Sequence, residues 1–254
     1  MAGLPPFRRR SMNSAITTNA RLWTAPAQRI PNDARFELIF FAVILIIANT
    51  PLLGGMVREH LVFFPSRVAA GEWWRVITHP FAHVSWYHLF LDGAAFLMLY
   101  AELRHWSTRR RVAAVAASAM ASLVAALTSP NISSLGFCGL SGVAHGLMAI
   151  SAIEMIRGGE VWERRAGWCA FLIVVVKALV EAASGNVLLG FLHFGLMGVP
   201  NAACHAGGVI GGLVFAGLVN VTRDRVTAYC FGGLRRTPQI SQMASATNRM
   251  IHQK

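Results

Sequence analysis

The chain has 254 residues, of which 55% are hydrophobic and only 13% charged, with a mean hydropathy of +0.50. Soluble domains carry about 25% charged residues, so the composition excludes an ordinary soluble domain and points to an all-α, polytopic membrane protein. The net charge of +12 does not indicate nucleic acid, because the basic residues fall in short clusters between apolar runs, as orientation signals do.

Residues 1–35 carry six arginines against one acid, Asp33. This Arg-rich, acid-poor composition also fits a transit peptide; a flexible basic cytoplasmic tail is the preferred reading. Six apolar segments follow, at about 37–55, 86–103, 112–128, 140–156, 167–184 and 202–221. Each is long enough, or nearly so, to cross about 30 Å of hydrocarbon. With six spans, 19 of the 23 basic residues fall on one side, namely both tails and the links after the second and fourth spans. The positive-inside rule then makes both termini cytoplasmic. The links at 56–85, 129–139 and 185–201 face outward. A membrane domain over 36–222 and a polar cytoplasmic tail over 223–254 complete the organisation, with no soluble second domain. Cys138, Cys169, Cys204 and Cys230 form no CxxC pair, so neither a disulfide framework nor a cysteine metal site is expected.

This topology gathers polar residues at one depth. Ser141 opens the fourth span on its outward side, His205 opens the sixth, and His88 and Asp92 open the second. Polar groups inside a membrane are costly and face a cavity or one another. In "HAGGVIGG", His205, Gly208 and Gly212 share a helix face, and in "SGVAHG", Gly142 and Gly146 form a second small-xxx-small pair. Close packing through these glycines would bring His205 against Ser141, giving a nucleophile with an adjacent base. Ser141 at a helix N-terminus also gains backbone N–H groups for a developing oxyanion. The competing pair is Ser141 with His145, four residues on and on the same face.

Three blocks, "GEWWRVITHPFAHVSWYHLFLD" (71–92), "GLSG" (139–142) and "HAGGVIGG" (205–212), occur in the order and on the helices of the rhomboid intramembrane serine proteases, which the chain resembles over about 140 residues. The resemblance implies a six-transmembrane-helix rhomboid-like bundle. It makes Ser141 the nucleophile and His205 the general base, in preference to His145. His88 would help hold the oxyanion, with the Ser141 and Leu140 amides nearby. Trp74 and Arg75 would belong to the outward first loop. "GLSGVAHG" most resembles the rhombosortase subgroup, with His145 where other rhomboids commonly have Tyr; Lys177 and Glu181 also resemble that subgroup. Its members are bacterial, and the resemblance pairs them with surface or secreted proteins ending in Gly-Gly, one hydrophobic helix and a basic cluster.

Asp92 departs from the pattern, since rhomboids usually carry Asn here. An ionised carboxylate cannot donate a hydrogen bond and would repel an oxyanion; a protonated one can donate. Lys177 and Glu181, spaced i, i+4, are expected to neutralise one another. His83 is expected to stabilise the first loop, whereas His79 and His193 carry little information. Without HExxH or an acidic ligand pair, no metal is expected, and no cofactor. The expected activity is cleavage of a substrate's transmembrane segment near its outer end, in the bacterial inner membrane. The expected partners are lipid and transmembrane clients with a C-terminal helix. A rhomboid of broader specificity and a non-cleaving client binder are the alternatives. A transporter is disfavoured because the intramembrane charges form no path across the bilayer.

Overall fold

A computed structural model of the protein describes residues 30–232, apart from 189, 195, 197 and 200 and the side chains of 192, 193 and 220–232. The tail over 1–29, His193's side chain and residues 233–254 therefore lie outside the described residues. What is described is helical, with one isolated bridge between Phe63 and Phe137. Six long helices dominate: α1 (Asn32–Asn49), α2 (Trp86–Glu102), α3 (Thr108–Ala126), α4 (Ser141–Arg157), α5 (Val161–Ser184) and α6 (Ala203–Gly232). They coincide with the six expected segments. α6 continues past 221, into the stretch expected to begin the tail.

Local chemistry sets several boundaries. Pro51 follows α1 and opens a 3₁₀ turn. Ser85 caps α2, its hydroxyl accepting the His88 N–H at 3.1 Å. α5 ends on Gly185 in the left-handed conformation.

By length and composition two helices are apolar enough to cross a bilayer, Asn32–Gly54 and Val161–Ser184, and a shorter apolar helix spans Ala203–Val219. Six long helices are present, but among the described residues only these two are long and apolar enough to count as spans, so the expected six spans are not shown by hydropathy. The central helices explain the difference. α4 buries Gly142, Val143, Ala144, Gly146, Leu147, Ala149, Ile150 and Ala152, so it faces protein nearly all round. α3 carries Arg111, Ser118 and Ser122 on its buried side. A helix that meets neighbours rather than lipid is selected for small residues, not for hydropathy. α1 and α5, in contrast, expose Phe36, Ile39, Ile46, Leu172, Ile173 and Leu179.

Two arginines, Arg111 from the orientation charges above and Arg75 from the outward first loop, are structural. Arg111 is fully buried, pairing with Glu37 at 2.7 Å and Asp33 at 2.8 Å. Tyr100 donates to the same Glu37 carboxylate, so this network clamps α1, α2 and α3 together. Arg75 is 6% exposed and bonds Glu72, the Glu59 carbonyl and the Val62 carbonyl, fixing the first loop. Trp74 donates its indole N–H to the His60 carbonyl in the same loop.

Candidate active site

The site starts from the backbone just ahead of α4. Gly139 has φ +105°, and a Cβ there would lie 3.0–3.1 Å from the His88 ring and Asp92 Oδ2. Both the left-handed conformation and the close approach require glycine. Gly139 N–H donates to the His79 carbonyl at 3.1 Å, and Phe63 and Phe137 exchange backbone hydrogen bonds at 3.0 and 2.9 Å. The first loop therefore holds the strand-like approach to Ser141, which becomes the first residue of α4. Ser141 opens on a cavity of about 320 Å³ whose polar lining includes His88, Cys138, Asn201, Cys204 and His205.

His205 is delivered by α6 through direct backbone contact. A Cβ on Gly208 would lie 1.8 Å from the Gly142 carbonyl oxygen, and one on Gly212 would lie 2.3 Å from that of Gly146. The other two glycines of "HAGGVIGG" face α3: Cβ atoms on Gly207 and Gly211 would lie 2.3 Å and 2.6 Å from the carbonyls of Ala121 and Ala117. The doubled glycines thus serve two faces of one helix, and the expected glycine pairing of α4 with α6 is present.

His205 Nδ1 lies 2.6 Å from Glu181 Oε2. Because a carboxylate accepts, Nδ1 carries a proton in this contact, and in the neutral imidazole Nε2 is then the nitrogen with the lone pair. The His205 ring stacks on His145 with centroids 4.1 Å apart and planes at 13°. His145 has both nitrogens engaged: Nδ1 with the Ser141 carbonyl at 2.7 Å and Nε2 with Lys177 Nζ at 3.0 Å. It bonds the carbonyl of Ser141, not its hydroxyl. The Ser141 hydroxyl lies 3.8 Å from Cys204 Sγ, and among the described residues no hydrogen bond joins it to His205.

Lys177 and Glu181 pair at 2.6 Å, as their spacing suggests. Glu181 Oε1 also accepts the Leu188 N–H at 2.8 Å. Its contact with His205, and the presence of Cys138, Asn201 and Cys204 in the cavity wall, were not anticipated. The available signals were an i, i+4 charged pair facing inward and the adjacency of Cys204 to His205. His145, Glu181 and His205 each offer a ligand atom within 4.8 Å of the others. The Lys177 ammonium already bonds two of these three residues.

The second polar cluster corrects the expected grouping. Asp92 Oδ2 accepts the Leu140 N–H at 2.9 Å and lies 3.1 Å from His88 Nε2. The Leu140 amide is therefore turned to Asp92 rather than to the cavity. Asp92 acts as an acceptor behind His88, not as a donor lining the cavity, because its carboxylate is the nearest partner for two N–H groups. His88 does line the cavity, and its Nδ1 is buried without a hydrogen-bond partner. His83 lies in the first loop, its backbone N–H donating to Asn49 Oδ1 at 2.8 Å and its Nδ1 3.3 Å from the Phe81 carbonyl. His79 packs on Phe137 with ring centroids 5.2 Å apart. Burial lowers both loop histidines to about 4, so both are neutral at pH 7.

Comparison with known proteins adds independent findings. Residues 70–221 match the model of the rhomboid domain. A curated relative, Rhomboid-like protease 5 from Toxoplasma gondii, is 31% identical over 147 residues, which is 57% of this chain. The aligned stretch spans 16% of that relative's length. The rhomboid match covers more than half of the 254 residues and contains His88, Asp92, Ser141 and His205, and on that ground the chain belongs to the rhomboid family.

Proposed function

We propose that this chain is an intramembrane serine protease in which Ser141 is the nucleophile and His205 the general base. The observation that carries the reading is the state of His205. Its Nδ1 is committed to Glu181, its ring is braced by His145, and Nε2 is the nitrogen left for a proton from serine. Hydrogen bonds between nucleophile and base are often long before substrate binds, and Ser141 and His205 line the same cavity. In the reaction His205 takes the hydroxyl proton as Oγ attacks the carbonyl carbon, and then returns it to the leaving amine. Water repeats the sequence on the acyl-enzyme. The Ser141 N–H at the start of α4 is the donor placed to hold the oxyanion, and His88 adds a second only with a proton on Nδ1, since its Nε2 faces Asp92.

The narrower reading is a rhombosortase-like protease of the bacterial inner membrane, with six spans and both termini cytoplasmic. Its support is "GLSGVAHG" and the basic asymmetry of the chain, together with the meeting of His145 and Lys177, two residues the resemblance singled out separately. A client threaded in the same sense has its bulk outside and a basic cluster inside. Glycines at the outer end of its helix lower the cost of unwinding by about 1 kcal/mol each relative to Ala. The expected cut is near a Gly-Gly step there, releasing the N-terminal domain. The test uses a reporter client with such an ending. Ser141→Ala and His205→Ala should each abolish release while His145→Ala leaves measurable cutting, and Val-Val in place of Gly-Gly should stop it. Release by Ser141→Ala would refute the protease reading. Undiminished cutting of the Val-Val client would leave a rhomboid of broader specificity.

A further inference from the structure

Glu181 is 0% exposed, and both of its oxygens are engaged. Oε1 takes the Lys177 ammonium at 2.6 Å and the Leu188 N–H at 2.8 Å, which leaves Oε2 turned on His205 Nδ1 at 2.6 Å. A pair formed only to neutralise Lys177 inside a membrane needs one oxygen; the second oxygen here fixes a histidine tautomer. We infer that Glu181 is a positioning residue for His205, making the site a serine–histidine–glutamate array held by α5 rather than a two-residue centre. This inference rests on the protease reading above.

Three features of the geometry support it. The carboxylate is anchored at its other oxygen by two donors from α5 and the turn after it, so it cannot rotate away from the ring without losing both. The ring has a second restraint in the parallel His145, itself tied to the Ser141 carbonyl and to Lys177. The charges also suit the reaction. Lys177 and Glu181 sum to zero at rest, and the positive charge that the His205 ring acquires when Nε2 takes the proton is shared with Nδ1, which lies 2.6 Å from Glu181. The groups facing His205 are then Glu181 and Lys177 from α5, His145 and Ser141 from α4, and its own neighbour Cys204. Among these Glu181 alone is an anion that stabilises the imidazolium. Lys177 acts in the opposite sense, and its ammonium is spent on Glu181 Oε1 and His145.

The test compares Glu181→Gln, Glu181→Asp, Ser141→Ala and Glu154→Gln in the full chain in lipid. Glu154 bonds His105 and Trp106, away from this cluster, and serves as the spectator carboxylate. Glu181→Gln keeps an acceptor of the same reach but loses the charge. It should lower kcat by about 10²-fold or more, towards the ~10⁴-fold loss when the orienting carboxylate of a serine-protease triad becomes an amide. KM should stay within about threefold. Glu181→Asp, with the charge retained, should recover part of the loss, and Glu154→Gln should stay within about twofold. If Glu181→Gln does not accumulate, Lys177→Met combined with Glu181→Gln removes the stranded ammonium and provides the folded protein to assay. Wild-type kcat in the Gln variants, or an Asp variant no better than Gln, would overturn the inference while an inactive Ser141→Ala leaves the protease reading standing. An active Ser141→Ala would sink both.

Discussion

Gly208→Ala adds one methyl group at the closest of the glycine contacts among the described residues. A Cβ there would sit 1.8 Å from the Gly142 carbonyl oxygen, whereas ordinary contact begins at 3.4 Å. The obstacle is backbone on both sides, so no side chain can swing aside. α4 and α6 must separate by about 1.6 Å, or one of them must shift along its axis. Forced overpacking of this kind costs about 1–3 kcal/mol. The catalytic consequence is larger, because Ser141 begins α4 one residue before Gly142 and His205 lies three residues before Gly208. Separating the helices displaces the base from the nucleophile, and a misplacement of about 1 Å can cost ~10²-fold in rate. Gly217→Ala on the same helix is the control, since a Cβ there meets nothing within 4 Å; replacing this helical glycine should stabilise by up to about 1 kcal/mol. The assay is cleavage of a transmembrane reporter alongside thermal unfolding. Gly208→Ala should be nearly inactive with a lowered melting temperature, and Gly217→Ala should be active and at least as stable. Wild-type rate and melting temperature for Gly208→Ala would refute the contact, and with it the placement of His205.

Further expectations follow from the two polar clusters and the charge asymmetry. His79 and His83 are neutral and buried with values lowered to about 4 from an ordinary 6.5; their contribution is complete above pH 6.5 and is lost as pH falls towards 4. Each histidine then costs about 1.4 kcal/mol per pH unit across that window, and melting temperatures of His83→Gln that decline as steeply as wild type between pH 6.5 and 4 would contradict this. Arg75→Met strands the Glu59 and Val62 carbonyls and should lower stability by about 3 kcal/mol, since each buried acceptor left unpaired costs about 1–3 kcal/mol; unfolding measurements check it. Asp92→Asn keeps an oxygen for the Leu140 N–H and His88 and should remain active with an altered pH–rate profile; an unchanged profile would separate Asp92's charge from catalysis. A reporter fused after residue 254 should be cytoplasmic, and one near Asn131 external; the reverse would place Ser141 at the wrong face.

The sequence by itself determined the helical framework and the residues worth watching. Apolar segments of the right length predicted six spans; a helix lies at each, because pairing backbone hydrogen bonds within a segment is a local requirement, while two of them are apolar enough to count as spans. The glycine pairs on α4 and α6 were legible because close helix approach needs small residues at a fixed spacing. Ser141, His205 and His88 were singled out by their common depth, by the glycines beside them and by the three blocks that resemble rhomboids. The tertiary structure decided how these groups are partnered. Spacing could pair Glu181 with Lys177, but nothing local says where the second oxygen points; packing of α5 against α6 turns it to His205. Nor does sequence distinguish an arginine left in water from one buried against Glu37, or an amide facing a cavity from one donating to Asp92. Such contacts join residues tens of positions apart. Their hydrogen bonds are chosen by which donors and acceptors the packed helices leave unsatisfied, a property of the assembled bundle rather than of any one segment.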